Sequence, residues 1–192
     1  MAGVLNGYVF HILLSVRSVS YLHPAHLTVG EPIREKGSKE PFSRMHKNII
    51  PHDCYVDASN VDLLQGMDFV FICIDRSAPK KFIIGKLKEL DVPFVDVGMG
   101  VYLAGDSLGG ITRVTTCTKD KKDHLENHIS FADIEGDDAY AQNIQIADLN
   151  SLNASLAVIK WKKTCGFYVD FDCEYHSTYT IDGNFIKNED ML

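Results

Sequence analysis

One aspartate in the sequence stands where α/β proteins often place catalytic groups. Asp75 directly follows an apolar run at residues 68–74, and the residues after it favour a helix. A carboxylate at the carboxyl end of a buried strand can hold Mg²⁺, or orient a phosphate through that ion. The same position also suits a residue that caps the first turn of the helix. Position alone favours the cap.

Histidines and cysteines provide two weaker candidates. His124 and His128 are four residues apart in "HLENH", but the glutamate is one place late for the zinc motif H-E-x-x-H. With no third ligand at a suitable spacing, the pattern favours a solvated loop over a metal site. Cys117 could be an exposed nucleophile, although no neighbouring base marks a lowered pKa of its thiol.

The composition excludes several classes of protein. The 192 residues suit one domain with a sizeable core, and the net charge of −7 provides no basic surface for nucleic acid or an anionic membrane. No segment approaches the roughly 20 apolar residues of a membrane helix. The five cysteines are odd in number and not closely paired. They argue against a disulfide framework and indicate a reducing, cytoplasmic compartment.

The middle of the chain predicts a strand–helix–strand unit. The strand at residues 68–74 is followed by a helix at 76–90, in which Pro79 suits the first turn, and by a strand at 92–98. The pattern predicts a parallel sheet. The pair Gly98 and Gly100 predicts a tight turn where the sheet changes from parallel to antiparallel.

The last ninety residues predict antiparallel strands and one long helix. Hairpins are predicted at residues 100–116 and 177–190, separated by a charged connection and a helix at 138–165. One apolar stripe of this helix is predicted to be buried. It consists of Leu149, Leu152, Leu156 and Ile159. The aromatic residues 166–176 are predicted to pack the helix against the last hairpin, with a groove for a partner peptide as the alternative.

Residues 1–48 differ from the rest of the chain. Residues 7–16 favour a strand or short helix, and residues 21–46 are rich in proline, glycine and mixed charges, which is typical of a loop. The sequence therefore predicts an irregular or diverged segment at 1–48 and a folded domain at 49–192. The expected fold class is α/β, a Rossmann-like three-layer domain whose parallel strands continue into an antiparallel portion with a C-terminal hairpin.

Three blocks resemble one known family. They are "GMDFVFICIDRSAPKKFIIGKLKELDVPFVDVGMGVYLAGDSLGGITRVTT", "NIQIADLNSLNASLAVIKWKKTCGFY" and "HSTYTIDGNFIKNED". Together they resemble the C-terminal two-thirds of the ThiF/MoeB/HesA superfamily, the adenylyltransferases related to ubiquitin-activating enzymes. "VFICID" resembles the family strand that ends in D-C-T-D-N. The resemblance covers about residues 49–192.

The resemblance implies a defined chemistry. Members of this family use ATP and Mg²⁺ to adenylate the C-terminal carboxylate of a ubiquitin-like or sulfur-carrier protein, and a homodimer is expected. The match makes Asp75 the catalytic, metal-holding residue, which reverses the preference for a simple cap. It also implies nucleotide contacts from Asp75, Ser77 and Lys39. Arg76 stands where the family usually has asparagine.

The chain departs from the family at its start. It contains no G-x-G-x-x-G loop, and residues 1–48 do not resemble the missing half. Without backbone amides to cradle the phosphates, the affinity for ATP should fall severely. Two alternatives therefore remain: a non-catalytic protein-binding or dimerisation module derived from this fold, and another nucleotide-using α/β enzyme, which has less support because its glycine loop is missing too.

Overall fold

The computed structural model describes residues 12–15, 25–28, 54–74, 77–129 and 147–191. These residues include both strands and helices, which makes the chain an α/β protein as predicted. The chain divides into two compact units between Phe94 and Val95. The boundary predicted between residues 48 and 49 lies outside the described residues and stays a prediction.

The first unit contains a small set of antiparallel strands. Strand β1 (Ile12–Ser15) pairs with β2 (Ala25–Thr28) and with β3 (Val70–Ile72), so the order is β2-β1-β3. The position of β1 agrees with the strand or short helix predicted at residues 7–16. Strand β2 lies inside the predicted loop at 21–46. Its partner is another strand, and the local composition of a four-residue segment does not reveal such a pairing.

Strand β3 and the helix after it form as predicted. All three residues of β3 are buried. Helix α1 (Ser77–Glu89) has Pro79 in its first turn, where the missing amide costs no intrahelical hydrogen bond. Its buried residues are Lys80, Ile83, Ile84 and Leu87. Leu90, which follows the helix, is exposed.

The second unit begins with a long hairpin that confirms the one predicted at 100–116. Strand β4 (Phe94–Ala104) and strand β5 (Ser107–Cys117) meet at a two-residue turn. Gly105 in this turn has a φ of 64°, a conformation that favours glycine. Strand β4 is longer than predicted and includes Gly98 and Gly100, so the tight turn predicted there is wrong.

The predicted C-terminal hairpin is also present. Strand β6 (His176–Thr180) pairs antiparallel with β5 and with β7 (Phe185–Glu189), so the strand order of this unit is β4-β5-β6-β7. The turn between β6 and β7 contains Asn184 with a φ of 46°. An asparagine tolerates this left-handed conformation, which agrees with the turn predicted around residues 182–184.

The described part of the second unit also contains two helices. Helix α2 (Leu125–His128) is one turn long, and α3 (Ala147–Thr164) packs on β5. Helix α3 ends as predicted at Gly166, where the amide of Phe167 donates to the Lys162 carbonyl at 2.8 Å. None of the helices within the described residues is long and apolar enough to cross a bilayer.

The buried face of α3 differs from the predicted stripe. The buried residues Leu149, Asn153, Ala157 and Trp161 are spaced by four. Ile159, the last residue of the predicted stripe, is 43 % exposed. The apolar pattern misleads because Asn153 is buried: its amide donates to the Gly98 carbonyl of β4 at 2.8 Å. This hydrogen bond offsets the cost of burying a polar side chain on the packing face.

Candidate functional site

The predicted nucleotide residues are only partly within the described structure. Asp75 and Lys39 lie outside the described residues, so their proposed roles stay predictions. Ser77 is the first residue of α1 and is half-buried. Lys80, which the sequence pattern did not single out, is buried in the following turn. The start of α1 therefore carries a hydroxyl and a buried cationic side chain just after Asp75 in the sequence.

The second unit contains a polar cluster that no sequence motif indicated. His176 of β6 lies directly opposite Thr115 of β5 and Glu189 of β7. Residues directly opposite on neighbouring strands point to the same face of a sheet. The imidazole of His128, from α2, stacks on that of His176 with 3.7 Å between ring centroids and 14° between planes. We call His128, His176, Glu189 and Asp190 the histidine cluster.

Each imidazole of the histidine cluster has one nitrogen in a hydrogen bond. His128 donates from Nε2 to Oδ2 of Asp190. His176 Nδ1 lies 3.0 Å from the Thr115 hydroxyl. One potential ligand atom from each of His128, His176 and Glu189 lies within 4.8 Å of the other two. The two rings are therefore held in place, and a carboxylate lies beside them.

Arg113 connects the cluster to strand β4. Its guanidinium donates to Oδ2 of the fully buried Asp96 at 2.8 Å and to the backbone carbonyl of His128. Gly98 makes room for this arrangement, because a Cβ there would lie 2.5 Å from the guanidinium. The glycine thus serves a close approach rather than a turn. Removing either partner of the ion pair would leave an uncompensated charge at a buried site.

Burial keeps the central imidazole uncharged. Desolvation, followed by the nearby His128 and the Arg113 cation, lowers the pKa of His176 to about 4. The pKa of Glu189 is also lowered, chiefly by its hydrogen bond from Lys187. At neutral pH the pair is therefore a neutral imidazole beside a carboxylate anion, and both can act as electron-pair donors.

The connection after β5 is not a solvated loop as predicted. His124 is 2 % exposed, donates from Nε2 to the Thr116 carbonyl at 2.9 Å, and lies against the Tyr175 ring. Burial lowers its pKa. Leu125 and Ile129 are buried beside it and anchor α2. The few apolar residues of this segment form its packing contacts.

The alternative of an exposed nucleophile at Cys117 is wrong. Its side chain is 2 % exposed, because it is the last residue of a strand whose final four residues are all buried. A buried thiol in such surroundings behaves as a small apolar residue. Cys73, by comparison, is half-buried.

One sequence signal could have located part of the histidine cluster. The turn predicted around residues 182–184 sets the register of the last hairpin, because the strands must pair outward from it. With Thr180 opposite Phe185, the same register puts His176 opposite Glu189. The approach of His128 from α2 has no such local signal, since it depends on tertiary packing.

Charged side chains form most of the junction after α3. Lys163 contacts Asp170 at 3.0 Å and Glu174 at 2.9 Å, and Lys160 contacts Asp170 at 3.1 Å. These ion pairs tie residues 170–174 to the helix. The segment therefore joins α3 to the last hairpin as predicted, mainly through these ion pairs. The ring of Tyr175 also takes part, since its centroid lies 5.7 Å from the Lys160 amine.

The aromatic side chains of residues 167–171 face solvent. We call residues 167–171 the aromatic segment: Phe167, Val169 and Phe171 are 67 %, 70 % and 94 % exposed. The Lys162 amine lies over the rings of Phe167 and Tyr168 at 5.2 and 5.4 Å. Buried ion pairs thus hold the base of the segment while its apolar side chains stay uncovered within the described structure.

No model of a protein family fits the chain, and the search of curated proteins found no significant relative.

Proposed function

We propose that this chain is an adenylyltransferase domain of the ThiF/MoeB/HesA type. It would use ATP to adenylate the C-terminal carboxylate of a ubiquitin-like or sulfur-carrier protein. The proposal includes the Rossmann-like three-layer arrangement, in which parallel strands lead into the antiparallel strands described above. It also includes a cytoplasmic location, where such partner proteins would be met.

One observation carries the proposal. Strand β3 is buried and ends at Ile72, and α1 begins at Ser77, so Asp75 belongs to the connection between a buried strand and the N-terminus of a helix. In α/β proteins the ends of strands and the starts of helices are where nucleotides bind. Helix amides and the partial positive charge of the helix dipole favour phosphate groups there.

The residues have distinct roles in the proposed reaction. The acceptor carboxylate attacks the α-phosphate of ATP, an acyl-adenylate forms, and pyrophosphate leaves. Mg²⁺ supplies charge neutralisation at the phosphates when bound, and Asp75 would hold it. Ser77 at the start of α1 and Lys39 would bind phosphate oxygens. Lys80, the fourth residue of the same helix, adds positive charge that suits an anionic ligand.

Binding of ATP tests the proposal directly. Titration calorimetry of the full chain with ATP and Mg²⁺ should give weak but saturable binding, because the chain has no glycine-rich loop to cradle the phosphates. Asp75→Ala should weaken it at least about 10-fold, which corresponds to about 1.4 kcal/mol of lost binding free energy. Asp106→Ala is the matched control, because Asp106 is an exposed carboxylate in the β4–β5 turn. Equal binding by the two variants, or no binding by the wild type, would refute the enzyme proposal.

A second candidate function is a non-catalytic dimerisation module. The exposed aromatic segment favours it, because large apolar side chains that face solvent together usually mark an interaction surface. The ion pairs beneath the segment would limit the conformational entropy lost when it becomes covered. On this hypothesis the occupant is a second copy of the chain, and self-association is independent of Asp75.

A further inference from the structure

We propose that His128, His176 and Glu189 form a binding site for a divalent transition metal ion, with Zn²⁺ the best match to the donor set. The site lies within the second unit and involves none of the predicted nucleotide residues. It is therefore independent of the proposed adenylation chemistry, and either proposal can fail without the other.

The spacing of the donors suits such an ion after a small adjustment. One ligand atom from each residue lies within 4.8 Å of the other two. Around a tetrahedral Zn²⁺ with bonds of about 2.1 Å, ligand atoms are about 3.4 Å apart. Side-chain shifts of roughly 1 Å bring the atoms to this spacing, and one of the two stacked rings must also turn, because an ion lies near the plane of each imidazole that ligates it. Glu189 can make this shift readily, since its strand is at the edge of the unit and its carboxylate is about one-third exposed.

The donor types select the class of metal. Two imidazoles and one carboxylate are a frequent ligand set for Zn²⁺ with a water in the fourth position. Mg²⁺ and Ca²⁺ prefer oxygen ligands, so they match this set poorly. The partial exposure of His128 and Glu189 leaves a path for the ion and for a water ligand.

Each ring has a hydrogen-bond partner of the kind that ligating histidines commonly have. In metal sites the second nitrogen of a ligating histidine commonly bonds a carboxylate or another polar group, which fixes the ring and its tautomer. Here Asp190 bonds Nε2 of His128, and the Thr115 hydroxyl bonds Nδ1 of His176. These bonds assign Nδ1 of His128 and Nε2 of His176 as the nitrogens for the ion.

The local charges permit a bound cation. Glu189 and Asp190 bring two negative charges to the cluster, and Asp96 neutralises the Arg113 guanidinium at 2.8 Å. Lys187 contacts Glu189 at 2.7 Å but is largely exposed, so it can release the carboxylate at modest cost. The lowered pKa of His176 supports binding at neutral pH, because the neutral imidazole is the ligating form.

Cobalt(II) provides the first test, because its visible absorption reports ligand type and geometry. The full-length chain, without a histidine tag and stripped with chelator, is titrated with Co²⁺ and then with Zn²⁺. We expect one equivalent of Co²⁺ to give visible bands that Zn²⁺ abolishes, without the intense near-ultraviolet band of thiolate ligands. No one-to-one binding, or a thiolate spectrum from the cysteines, would overturn the proposal.

Variants locate the site. Glu189→Gln and His176→Gln should each abolish the one-to-one bands, and Asp190→Asn should weaken binding about 10- to 100-fold through its effect on His128. Glu89→Gln is the matched control, since Glu89 is an exposed glutamate paired with a lysine, at 2.6 Å, on α1. Far-ultraviolet circular dichroism confirms folding of each variant. If Glu189→Gln binds Co²⁺ as tightly as Glu89→Gln, the assignment of the site is wrong.

Discussion

At the scale of single residues, several charged side chains are largely buried, so the stability of the fold depends on their ion pairs. Asp96 and Arg113 form one such pair, and Asp170 lies between Lys160 and Lys163 in another set. A buried charge that loses its partner keeps its desolvation cost, so a single substitution at these places has a large effect. Exposed pairs contribute little by comparison.

Asp170 should make the stability of the fold sensitive to acid. Burial alone would raise the pKa of Asp170, but hydrogen bonds from Lys163 and Lys160 outweigh it and lower the pKa to about 2, from 3.8. A carboxyl whose pKa is lower in the folded state than in the unfolded state stabilises the fold at pH values above its unfolded-state pKa. This contribution is lost as the pH falls from about 4 to about 2.

The variant Asp170→Asn tests this pH dependence. The free energy of unfolding of the wild type, from urea denaturation, should fall by about 2 kcal/mol more than that of Asp170→Asn between pH 5 and pH 2. The exposed Asp106→Asn serves as control and should follow the wild type. Parallel curves for Asp170→Asn and the wild type would show that the ion pairs contribute no net stability.

At the scale of elements, helix α3 shows how a polar contact changes the face that a helix buries. The apolar pattern predicted a stripe ending at Ile159, whereas the buried residues repeat every four positions from Leu149 to Trp161. Asn153 lies on this face because its amide bonds the Gly98 carbonyl. Gly110 allows helix α3 to approach the sheet closely, because the absence of a side chain there leaves room for Leu149 against β5.

Two alanine substitutions in α3 distinguish the two faces. Leu149→Ala removes a side chain that is 3 % exposed and should destabilise the fold by about 3 kcal/mol. Ile159→Ala removes an exposed side chain and should cost less than about 1 kcal/mol. Chemical denaturation followed by the fluorescence of Trp161, the sole tryptophan, measures both. Equal losses would mean that the predicted stripe, not the observed face, packs against the sheet.

At the scale of the whole molecule, the exposed aromatic segment is the surface on which the dimerisation hypothesis depends. Most exposed apolar residues of a protein are scattered, but here Phe167, Val169 and Phe171 are exposed within five positions. A symmetric dimer in which the same surface meets itself is the commonest assembly of identical chains.

Self-association should therefore depend on this segment. Sedimentation equilibrium of the full chain should show a monomer–dimer exchange, and Phe171→Ser should weaken it at least about 10-fold because a central aromatic anchor is lost. Leu103→Ser, at an exposed apolar residue of the β4–β5 hairpin, is the control and should leave the exchange unchanged. A chain that stays monomeric at all concentrations would refute the dimer.

The predictions that succeeded depend on local chemistry. The buried strand β3, helix α1 with Pro79, and the hairpin turn at Gly105 follow from apolar runs, proline geometry and glycine conformation. The end of α3 at Gly166 has the same origin. Each signal acts within a few residues, so the sequence alone suffices to locate it.

The features that the sequence did not predict correctly depend on contacts between distant residues. The role of Gly98, the burial of His124 and the stacking of His128 on His176 depend on residues far apart in the sequence. The sequence by itself located β3, α1, both hairpins and the end of α3, because backbone preference and apolar periodicity are local properties. It did not locate β2 or α2. Only the tertiary structure decided that His128 meets His176 and that Arg113 meets Asp96, because packing between elements selects these partners.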